Sequence, residues 1–440
     1  MASMRQDEII EILNDWNFWK KELDTGKKRT HYIARAEAYM GSNMVLTITG
    51  ARRSGKSYIM RQLARRVAER DGARNTLIVN LEDSRFAELD LPLLDAIFEA
   101  YLENLKPDMV PSVFIDEAQR VSGWERWVRT AHELRRAKIA VSGSTASIIG
   151  RDLATLMTGR HLDLTVFPLS FAEFLRFKGI EVEDRVDFAS RRVEIRGMLK
   201  EYLEYGGFPE VVLSKPEVKK EILRGYFEDM TEKDIIIRHR VRNVAALRAL
   251  ARFYMTNVSS PMTSNSLEKF LKADAGTIDR FSSYLEDAFV VFFVRRFAHS
   301  VKPQEKSPKK VYAIDTGLCN AVGFRTGENR GKLIENAVAV ELRRRVAENP
   351  SCGMYYWKGT DGKEVDFVIA EGASASQAIQ VCWDISSPEA KRREVRALIR
   401  CMNELSLKEG TVITEDYEGE EDVDGKRIVY RAVGKWLLGL

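Results

Sequence analysis

The residues with the clearest chemical signature are the eight from Gly50 to Ser57, GARRSGKS, which match the pattern G-x-x-x-x-G-K-[ST]. Glycines in this pattern let backbone N–H groups curl around a phosphate at the start of a helix. Lys56 would reach the terminal phosphates, and Ser57 would ligate Mg²⁺. The segment therefore predicts an ATP site, with a simple Gly/Ser turn as the alternative. Its predicted residues are Gly50, Ala51, Arg52, Arg53, Ser54, Gly55, Lys56, Ser57 and Tyr58.

Two adjacent acids, Asp116 and Glu117, follow the short apolar segment VFI. At the carboxyl end of a strand, Asp116 could hold the Mg²⁺ shell beside a phosphate loop. Glu117, one residue further, could polarise a water molecule for in-line attack on the γ-phosphate. Capping of the next helix is the alternative explanation for both acids.

Two further residues are candidates for the hydrolysis step. Ser144 in AVSGSTASI, like Ser142 beside it, could hydrogen-bond the γ-phosphate or the attacking water, although an N-cap role explains either serine equally well. Arg160 precedes a strand-like segment, where it could stabilise transition-state charge on the nucleotide of a neighbouring subunit. That role requires a homo-oligomer, and a surface arginine at a helix end is the alternative.

These residues need a scaffold that brings strand ends together. Short apolar segments at 44–49, 76–81, 112–116, 138–143 and 162–167 are mostly separated by helix-length segments. Such alternation predicts an α/β fold, a parallel sheet with helices on both faces. We expect an N-terminal helical segment over 1–43, a P-loop ATPase core over 44–170 and a helical lid over 171–242.

Residues 243–314 contain three helical patterns and then two strand patterns joined by a polar loop, which is a winged-helix order. The third helix lacks the Arg/Asn/Gln cluster expected for base reading, so we expect non-specific DNA contact. A spacer or a protein-docking role is the alternative. The predicted DNA-contacting residues are Thr277, Arg280, Arg295, Arg296, Lys302, Lys306, Lys309 and Lys310, against one acid in the loop, Glu305.

Composition narrows the class of protein without naming a partner. The 440 residues include 69 Lys plus Arg, 65 Asp plus Glu and 4 Cys, so the net charge of +4 alone does not indicate a nucleic-acid partner. No apolar segment approaches the roughly 18 residues that span a membrane. No secretory leader opens the sequence, and the cysteines form no CxxC pair. We therefore expect a cytoplasmic protein without a membrane partner or a zinc site.

Taken together, the motifs resemble a known family, the prokaryotic and largely archaeal AAA+-like ATPases related to the signalling (STAND) NTPases. The matching segments are ITGARRSGKS, VFIDEAQ, SGSTAS, the TGR before FPLSFAEFL, EYGGFPEVV, YAIDTGL and KLIENAVAVEL. The resemblance covers nearly the whole chain from about Trp16. It implies an ATPase core, a helical lid, a winged helix and, over 315–440, a restriction-endonuclease-like domain. It also implies that Pro209 lies near the adenine, whereas a tight turn between lid helices is the alternative.

The same resemblance extends to a nuclease-like metal site. Glu335 and Asp366 match its first two acids, but the position of a Glu-x-Lys sequence holds Gln380, Val381 and Cys382. Loss of a carboxylate weakens attraction for Mg²⁺, and loss of the lysine removes a positive charge near the scissile phosphate. The site is therefore predicted to be degenerate and inactive, with Asp384 or Lys363 as candidates to substitute. The favoured interpretation is that Glu335 and Asp366 are structural acids and that Gln380 and Cys382 fill the sheet.

The sequence thus predicts an ATPase that uses Mg²⁺ and ATP, releases ADP, and couples its ATP state to DNA contact. A nucleotide-controlled signalling switch with slow turnover and protein partners is the first alternative. A metal-dependent DNase is the weaker one.

Overall fold

The computed structural model describes residues 4–145, 159–298, 300–324, 330–383, 385 and 387–440. Asp384, a candidate for the nuclease-like site, lies outside these residues, as does the segment from 146 to 158. The chain divides, over its described parts, into two compact units, Met1–Val166 and Phe167–Leu440. No helix among the described residues is long and apolar enough to cross a membrane.

The first unit is built on a parallel sheet formed by the five apolar segments identified in the sequence. Over the described residues its strands are β1 (Val45–Gly50), β2 (Thr76–Asn80), β3 (Ser112–Asp116), β4 (Lys138–Gly143) and β5 (His161–Val166). Their order is β2-β3-β4-β1-β5, so β4 lies between the strand before the phosphate loop and the strand that ends in Asp116. The predicted α/β P-loop core is confirmed.

Helices cover both faces of this sheet because successive strand residues point to opposite sides. The helices are α1 (Gln6–Trp16), α2 (Thr30–Met40), α3 (Lys56–Asp71), α4 (Leu91–Leu105) and α5 (Trp124–Glu133). On β2, Leu77 and Val79 join a core with α1, α4 and α5, whereas Ile78 joins a core with α2 and α3.

The N-terminal segment closes the edge of the sheet at β2. The side-chain amide of Asn17 accepts from the backbone N–H of Ile78 at 2.7 Å and donates to its carbonyl at 2.9 Å. The indole of Trp19 donates to the carbonyl of Thr76 at 2.8 Å. These bonds satisfy backbone groups that an edge strand would otherwise leave open. The segment before the core is therefore part of the first unit.

The second unit begins with helices where a lid was expected. They are α6 (Phe171–Phe177), α7 (Arg185–Ser190), α8 (Arg192–Tyr205), α9 (Pro209–Leu213) and α10 (Pro216–Thr231), followed by a π-helical turn (Glu232–Ile237). The next part contains α11 (Val244–Thr256), β6 (Ser260–Met262), α12 (Ser264–Leu271), α13 (Ala275–Asp287), β7 (Val291–Arg296), α14 (Val301–Lys306) and β8 (Lys309–Ala313). The short strand β6 and the short helix α14 were not predicted from the sequence.

The C-terminal part adds a mixed sheet and its helices. These elements are α15 (Thr316–Val322), α16 (Arg330–Glu348), β9 (Cys352–Lys358), β10 (Glu364–Glu371), β11 (Ser374–Val381), α17 (Pro388–Glu404), β12 (Glu409–Thr414), β13 (Gly419–Val423), β14 (Lys426–Ala432) and α18 (Val433–Leu438). The strand order is β13-β14-β12-β11-β10-β9-β7-β8-β6 over the described residues. Because β7 pairs with β9, the sheet runs across the boundary expected at residue 314.

Candidate nucleotide site and the C-terminal acid cluster

The phosphate-loop motif joins β1 to α3, as the sequence predicts, but its two glycines are required for different reasons. Gly55 is the N-cap of α3 with φ of 99°, a left-handed conformation that favours glycine. Gly50 has φ of 142°, and a Cβ there would lie 2.1 Å from the carbonyl oxygen of Val166 on the neighbouring strand. The first glycine therefore also permits the close approach of β5.

Lys56 is 5% exposed and folds back on its own loop. Its Nζ donates to the carbonyl oxygens of Gly50 and Ala51, both at 3.0 Å. Arg29, which the sequence analysis missed, holds the loop from another direction, because its Nη1 donates to the Ser54 carbonyl at 2.9 Å. No sequence signal marks Arg29, which stands in a polar segment before α2.

The polar groups of the loop and of the carboxyl end of β3 suit a nucleotide phosphate with Mg²⁺. Backbone N–H groups at the start of the 16-residue helix α3 and the ammonium of Lys56 are groups that bind phosphate oxygens. Ser57 and Asp116 carry oxygen atoms of the kind that Mg²⁺ prefers as ligands. Around them, Arg52 pairs with Glu82 at 3.7 Å, and Tyr58 is exposed.

The two predicted acids lie at the carboxyl end of β3 and are held by a serine of β4. The hydroxyl of Ser142 donates to Asp116 Oδ1 and accepts from the backbone N–H of Glu117 at 3.1 Å. Gln119, also missed from the sequence, donates from Nε2 to Glu117 Oε2. Ser142 therefore orients the acids, which differs from the phosphate contact considered for it, while Ser144 follows β4 at 1% exposure.

Glu117 has the environment of a candidate general base. It is 8% exposed and has a left-handed backbone, with φ of 56°. Burial raises its pKa, the charge of Lys56 opposes that increase, and the charge of Asp116 adds to it. A buried carboxylate with a raised pKa, close to the ammonium of a phosphate-loop lysine, is an arrangement that can accept a proton from water.

Arg160 lies at the opposite edge of the sheet from the phosphate loop. Strands β1 and β5 are parallel, with Val45 opposite His161 and Gly50 opposite Val166, so Arg160 stands at the amino ends of the strands. Its Nη1 donates to Glu133 Oε1 at 2.9 Å on the surface. It cannot reach the phosphate site of its own chain, and a role on a neighbouring subunit's nucleotide stays a prediction.

Pro209 is the first residue of α9, and the glycines before it pack against a second motif of the same unit. The N–H of Gly207 donates to Asp315 Oδ2 at 2.7 Å, and a Cβ on Gly206 would lie 1.9 Å from Asp315 Oδ1. The segments EYGGFP and AIDTGL thus contact each other closely at Gly206, while a Cβ on Gly207 would lie 2.4 Å from the carbonyl oxygen of Leu169. Contact of Pro209 with an adenine stays a prediction.

The predicted DNA-contacting residues fall into different environments. Arg280, Arg295, Lys302 and Lys306 are exposed, while Thr277, Arg296 and Lys309 are partly buried. Arg295 pairs with Glu305, and Arg296 donates to the carbonyl of Lys358. The hydroxyl of Thr277 donates to the N-cap Asp274 at 2.7 Å. The exposed lysines of α14 are the most available of this set.

Lys310 does not belong to that surface, and the prediction that it contacts DNA is wrong. Successive residues of β8 point to opposite sides, and Lys310 points inward with 2% exposure. Its Nζ lies 3.2 Å from Glu335 Oε1, 2.7 Å from Glu364 Oε1 and 2.8 Å from Asp366 Oδ1. Burial lowers its pKa, but the surrounding carboxylates, Asp366 first, hold that pKa well above the ordinary value.

The structure thus brings together the predicted nuclease-like residues with others that the sequence analysis did not assign to this site. The backbone N–H of Asp366 donates to Gln380 Oε1 at 3.2 Å, and Gln380 Nε2 donates to Glu394 Oε2 at 2.8 Å. Burial and the Asp366 carboxylate raise the pKa of Glu335. Lys363, the other candidate substitute, pairs with Asp361 at 3.4 Å. Over the described residues, no group of three or more His, Cys, Asp or Glu side chains is placed to hold a metal ion.

Comparison with known proteins gives matches along most of the chain. A model described as an AAA domain matches residues 42–175. Two models of domains of unknown function match residues 196–329 and 330–431. The Walker-type ATPase PABY2304 of Pyrococcus abyssi, a solved structure, has a TM-score of 0.40 and 16% identity, covering 67% of this chain and 95% of that one.

Two curated relatives match almost end to end. An uncharacterized protein of Haemophilus influenzae is 28% identical over 420 residues, covering 93% of this chain and 98% of that protein. The uncharacterized protein MJ1544 of Methanocaldococcus jannaschii is 30% identical over 451 residues, covering 99% of this chain and 96% of that protein. With its AAA domain and parallel P-loop core, the chain belongs to the same family of AAA-type P-loop ATPases as MJ1544.

Proposed function

We propose that this protein binds ATP with Mg²⁺ and hydrolyses the terminal phosphoanhydride bond. The observation that carries this proposal is the Glu117 carboxylate, which is buried at the carboxyl edge of the sheet within electrostatic reach of Lys56 and Asp116. A carboxylate placed only to cap a helix would need neither this burial nor the bond from Gln119.

Each residue then has a separate task. Backbone N–H groups of the loop and Lys56 bind the phosphates, while Ser57 and Asp116 would hold Mg²⁺, which would supply positive charge to the phosphates. Glu117 orients a water molecule and accepts its proton. Ser142 keeps Asp116 and Glu117 in register through one hydroxyl. Ser144 contacts the γ-phosphate or the water, and Arg160 acts on a neighbouring subunit in a homo-oligomer.

The test separates binding from turnover. Glu117→Gln should bind ATP about as well as the wild type and hydrolyse it about 10² to 10⁴ times more slowly, because the general base is lost. Lys56→Ala should lose ATP binding. Glu103→Gln, an exposed glutamate on α4, is the matched control and should hydrolyse ATP normally. Wild-type turnover in Glu117→Gln would show that another group activates the water.

A second proposal, DNA contact, is supported by the order of elements from α11 to β8. A helix, a strand, two helices and two further strands fit a winged helix, and the short helix α14 between the last two strands carries Lys302 and Lys306 at the surface. Exposed lysines can neutralise phosphates without reading bases.

ATP hydrolysis measured with duplex, forked and single-stranded DNA tests this coupling. Stimulation by any of the three supports an ATPase coupled to DNA. A rate that none of them changes favours the nucleotide-controlled switch with protein partners. Mass determination with and without ATP, run alongside, tests the homo-oligomer that Arg160 requires.

A further inference from the structure

A cluster of three carboxylates in the second unit is centred on the ammonium of Lys310. An ammonium has three N–H donors and no acceptor. Here the Nζ lies between 2.7 and 3.2 Å from oxygens of Glu335, Glu364 and Asp366. Two of its donors form hydrogen bonds to Glu335 and Asp366, and Glu364 forms an ion pair with it. The lysine comes from β8, Glu335 from α16, and the other two acids from β10.

Groups from other elements also contact the three carboxylates. The hydroxyl of Tyr312 donates to Glu335 Oε1 at 2.7 Å. The backbone N–H of Val381 donates to Asp366 Oδ2 at 3.0 Å. Lys358 Nζ lies 3.6 Å from Glu364 Oε2. The carboxylates are thus fixed by bonds from several elements, which is the support that a cation site needs.

Glu394, an acid close to this cluster, also has hydrogen-bond donors within the chain. Glu394 accepts from Gln380 at 2.8 Å and from Arg393 Nη2 at 2.6 Å. A cavity of about 410 Å³ is lined by Glu364, Asp366, Gln380, Arg393 and Glu394, so one side of the acids is accessible from solvent. The ammonium, at 2% exposure, lies on their buried side. A metal ion could therefore reach the acids from solvent, but the ammonium of Lys310 is already a cation among them.

We propose that the ammonium of Lys310 takes the place of a divalent cation among Glu335, Glu364 and Asp366, so that this cluster binds no metal and instead ties β8 to α16 and β10. The distances fit an ammonium, since Mg²⁺ and Ca²⁺ hold oxygen ligands at roughly 2.0 to 2.6 Å. Three converging carboxylates without Lys310 would be left with excess negative charge, which a divalent cation could neutralise.

Mn²⁺ binding to the full chain without nucleotide tests this proposal, with electron paramagnetic resonance to count bound ions. All variants carry Asp116→Asn, which removes a metal ligand of the phosphate-loop site. The chain with Lys310 intact should bind no Mn²⁺ at the cluster, whereas Lys310→Ala should gain one site. That site should disappear when Asp366→Asn is added. Lys309→Ala, which changes the adjacent residue of β8, is the matched control and should gain none.

Two results would overturn the proposal. One is Mn²⁺ binding, or Mn²⁺-dependent nicking of plasmid DNA, by the chain with Lys310 intact that is lost in Asp366→Asn. The other is a folded Lys310→Ala chain that gains no site. If Lys310→Ala does not fold, the test is the melting temperature of the chain with Lys310 intact, measured with and without Mn²⁺. A ligand that binds the native state raises the melting temperature. No change with Mn²⁺ is expected, and an increase that requires Asp366 contradicts the proposal.

Discussion

Two buried lysines, one in each unit, show how the partners of a charge decide its use. Lys56 is 5% exposed, and its Nζ donates to two backbone carbonyls of the phosphate loop. Lys310 is 2% exposed, and its Nζ is surrounded by three carboxylates. Both lysines are close to acids and to strand ends, and both stood in segments that the sequence linked to phosphate binding.

The difference between them is electrostatic. Carbonyl groups are neutral, so the bonds of Lys56 can be exchanged for stronger, charge-assisted bonds to phosphate oxygens. Carboxylates already offset the charge of Lys310, and leaving them would expose uncompensated negative charge in the interior. We therefore expect Lys56 to exchange its carbonyl partners for a ligand, and Lys310 to stabilise the fold.

The largest expected effect comes from replacing each lysine by methionine. Lys310→Met should lower the unfolding free energy of the second unit by about 3 to 5 kcal/mol, because three buried carboxylates lose their cation. Lys56→Met should cost less, about 1 kcal/mol, since two bonds to neutral carbonyls are lost, yet it should abolish ATP binding. Urea unfolding and an ATP-binding titration of both variants measure the contrast.

The double substitution Lys310→Met with Asp366→Asn is the control, and it should recover part of the lost stability because one unpaired carboxylate is removed. Equal destabilisation by the two single substitutions would contradict the distinction between an available lysine and a structural one.

A smaller effect should follow from removing one hydroxyl in each region. Ser142→Ala removes the donor to Asp116 and the acceptor of the Glu117 N–H, whereas Tyr312→Phe removes a donor to Glu335. Each loses a buried hydrogen bond, and each should cost about 1 to 3 kcal/mol of unfolding free energy. Only Ser142→Ala should also lower the rate of ATP hydrolysis. A loss of hydrolysis in both variants would show that the acid cluster influences turnover.

The sequence predicted the strands and the helix around the candidate nucleotide site well, because the information for them is local. The motif at Gly50–Ser57 fixes both the loop and the helix that follows, and strand β3 ends at Asp116 as expected. Parallel strands bring their carboxyl ends to one edge, so adjacent motifs imply adjacent side chains. The sequence did not predict the structural roles of three residues. The bonds of Arg29 and Ser142 depend on the packing of segments distant in sequence, and the bond of Gln119 depends on the exact turn after β3.

The acid cluster could be predicted only in part, because it is assembled from distant elements. Glu335 and Asp366 were identified by resemblance, but Lys310 was assigned to a DNA-contacting surface. The error came from treating a run of basic residues as one surface, whereas strand alternation directs Lys309 and Lys310 to opposite sides. The structure alone shows that β8 continues into the C-terminal sheet through β7 and β9.

Asp315 is a third buried charged group, and its partners are neutral. Its carboxylate accepts from the backbone N–H groups of Gly207, Gly317 and Leu318. Burial raises its pKa from 3.8 to about 6, although these donors oppose the increase. Its raised pKa means that the native state binds more protons than the unfolded state between those values. Stability should therefore fall as pH rises from about 4 to 6, by up to about 1.4 kcal/mol per pH unit.

Urea unfolding of wild type and Asp315→Asn across this pH range isolates the contribution of Asp315. At low pH, Asp315→Asn should be less stable than the wild type, because the substitution alters a hydrogen-bonded side chain. Its free energy of unfolding should, however, depend less on pH. Asp422→Asn, an exposed aspartate on β13, is the control. An unchanged pH dependence in Asp315→Asn would indicate that the backbone donors hold this carboxylate ionised throughout.

The smallest expected effect concerns the salt dependence of DNA affinity. It tests whether the exposed Lys302 and Lys306 contact DNA while the buried Lys310 does not. If each exposed lysine neutralises one phosphate, replacing both with glutamine should reduce the slope of log affinity against log salt by about two. The double substitution Lys363→Gln with Lys408→Gln changes the net charge equally and is the matched control, since Lys408 is exposed elsewhere in the second unit. An equal decrease in slope for both pairs would mean that DNA responds to net charge alone, and the surface around α14 would then not be the interface.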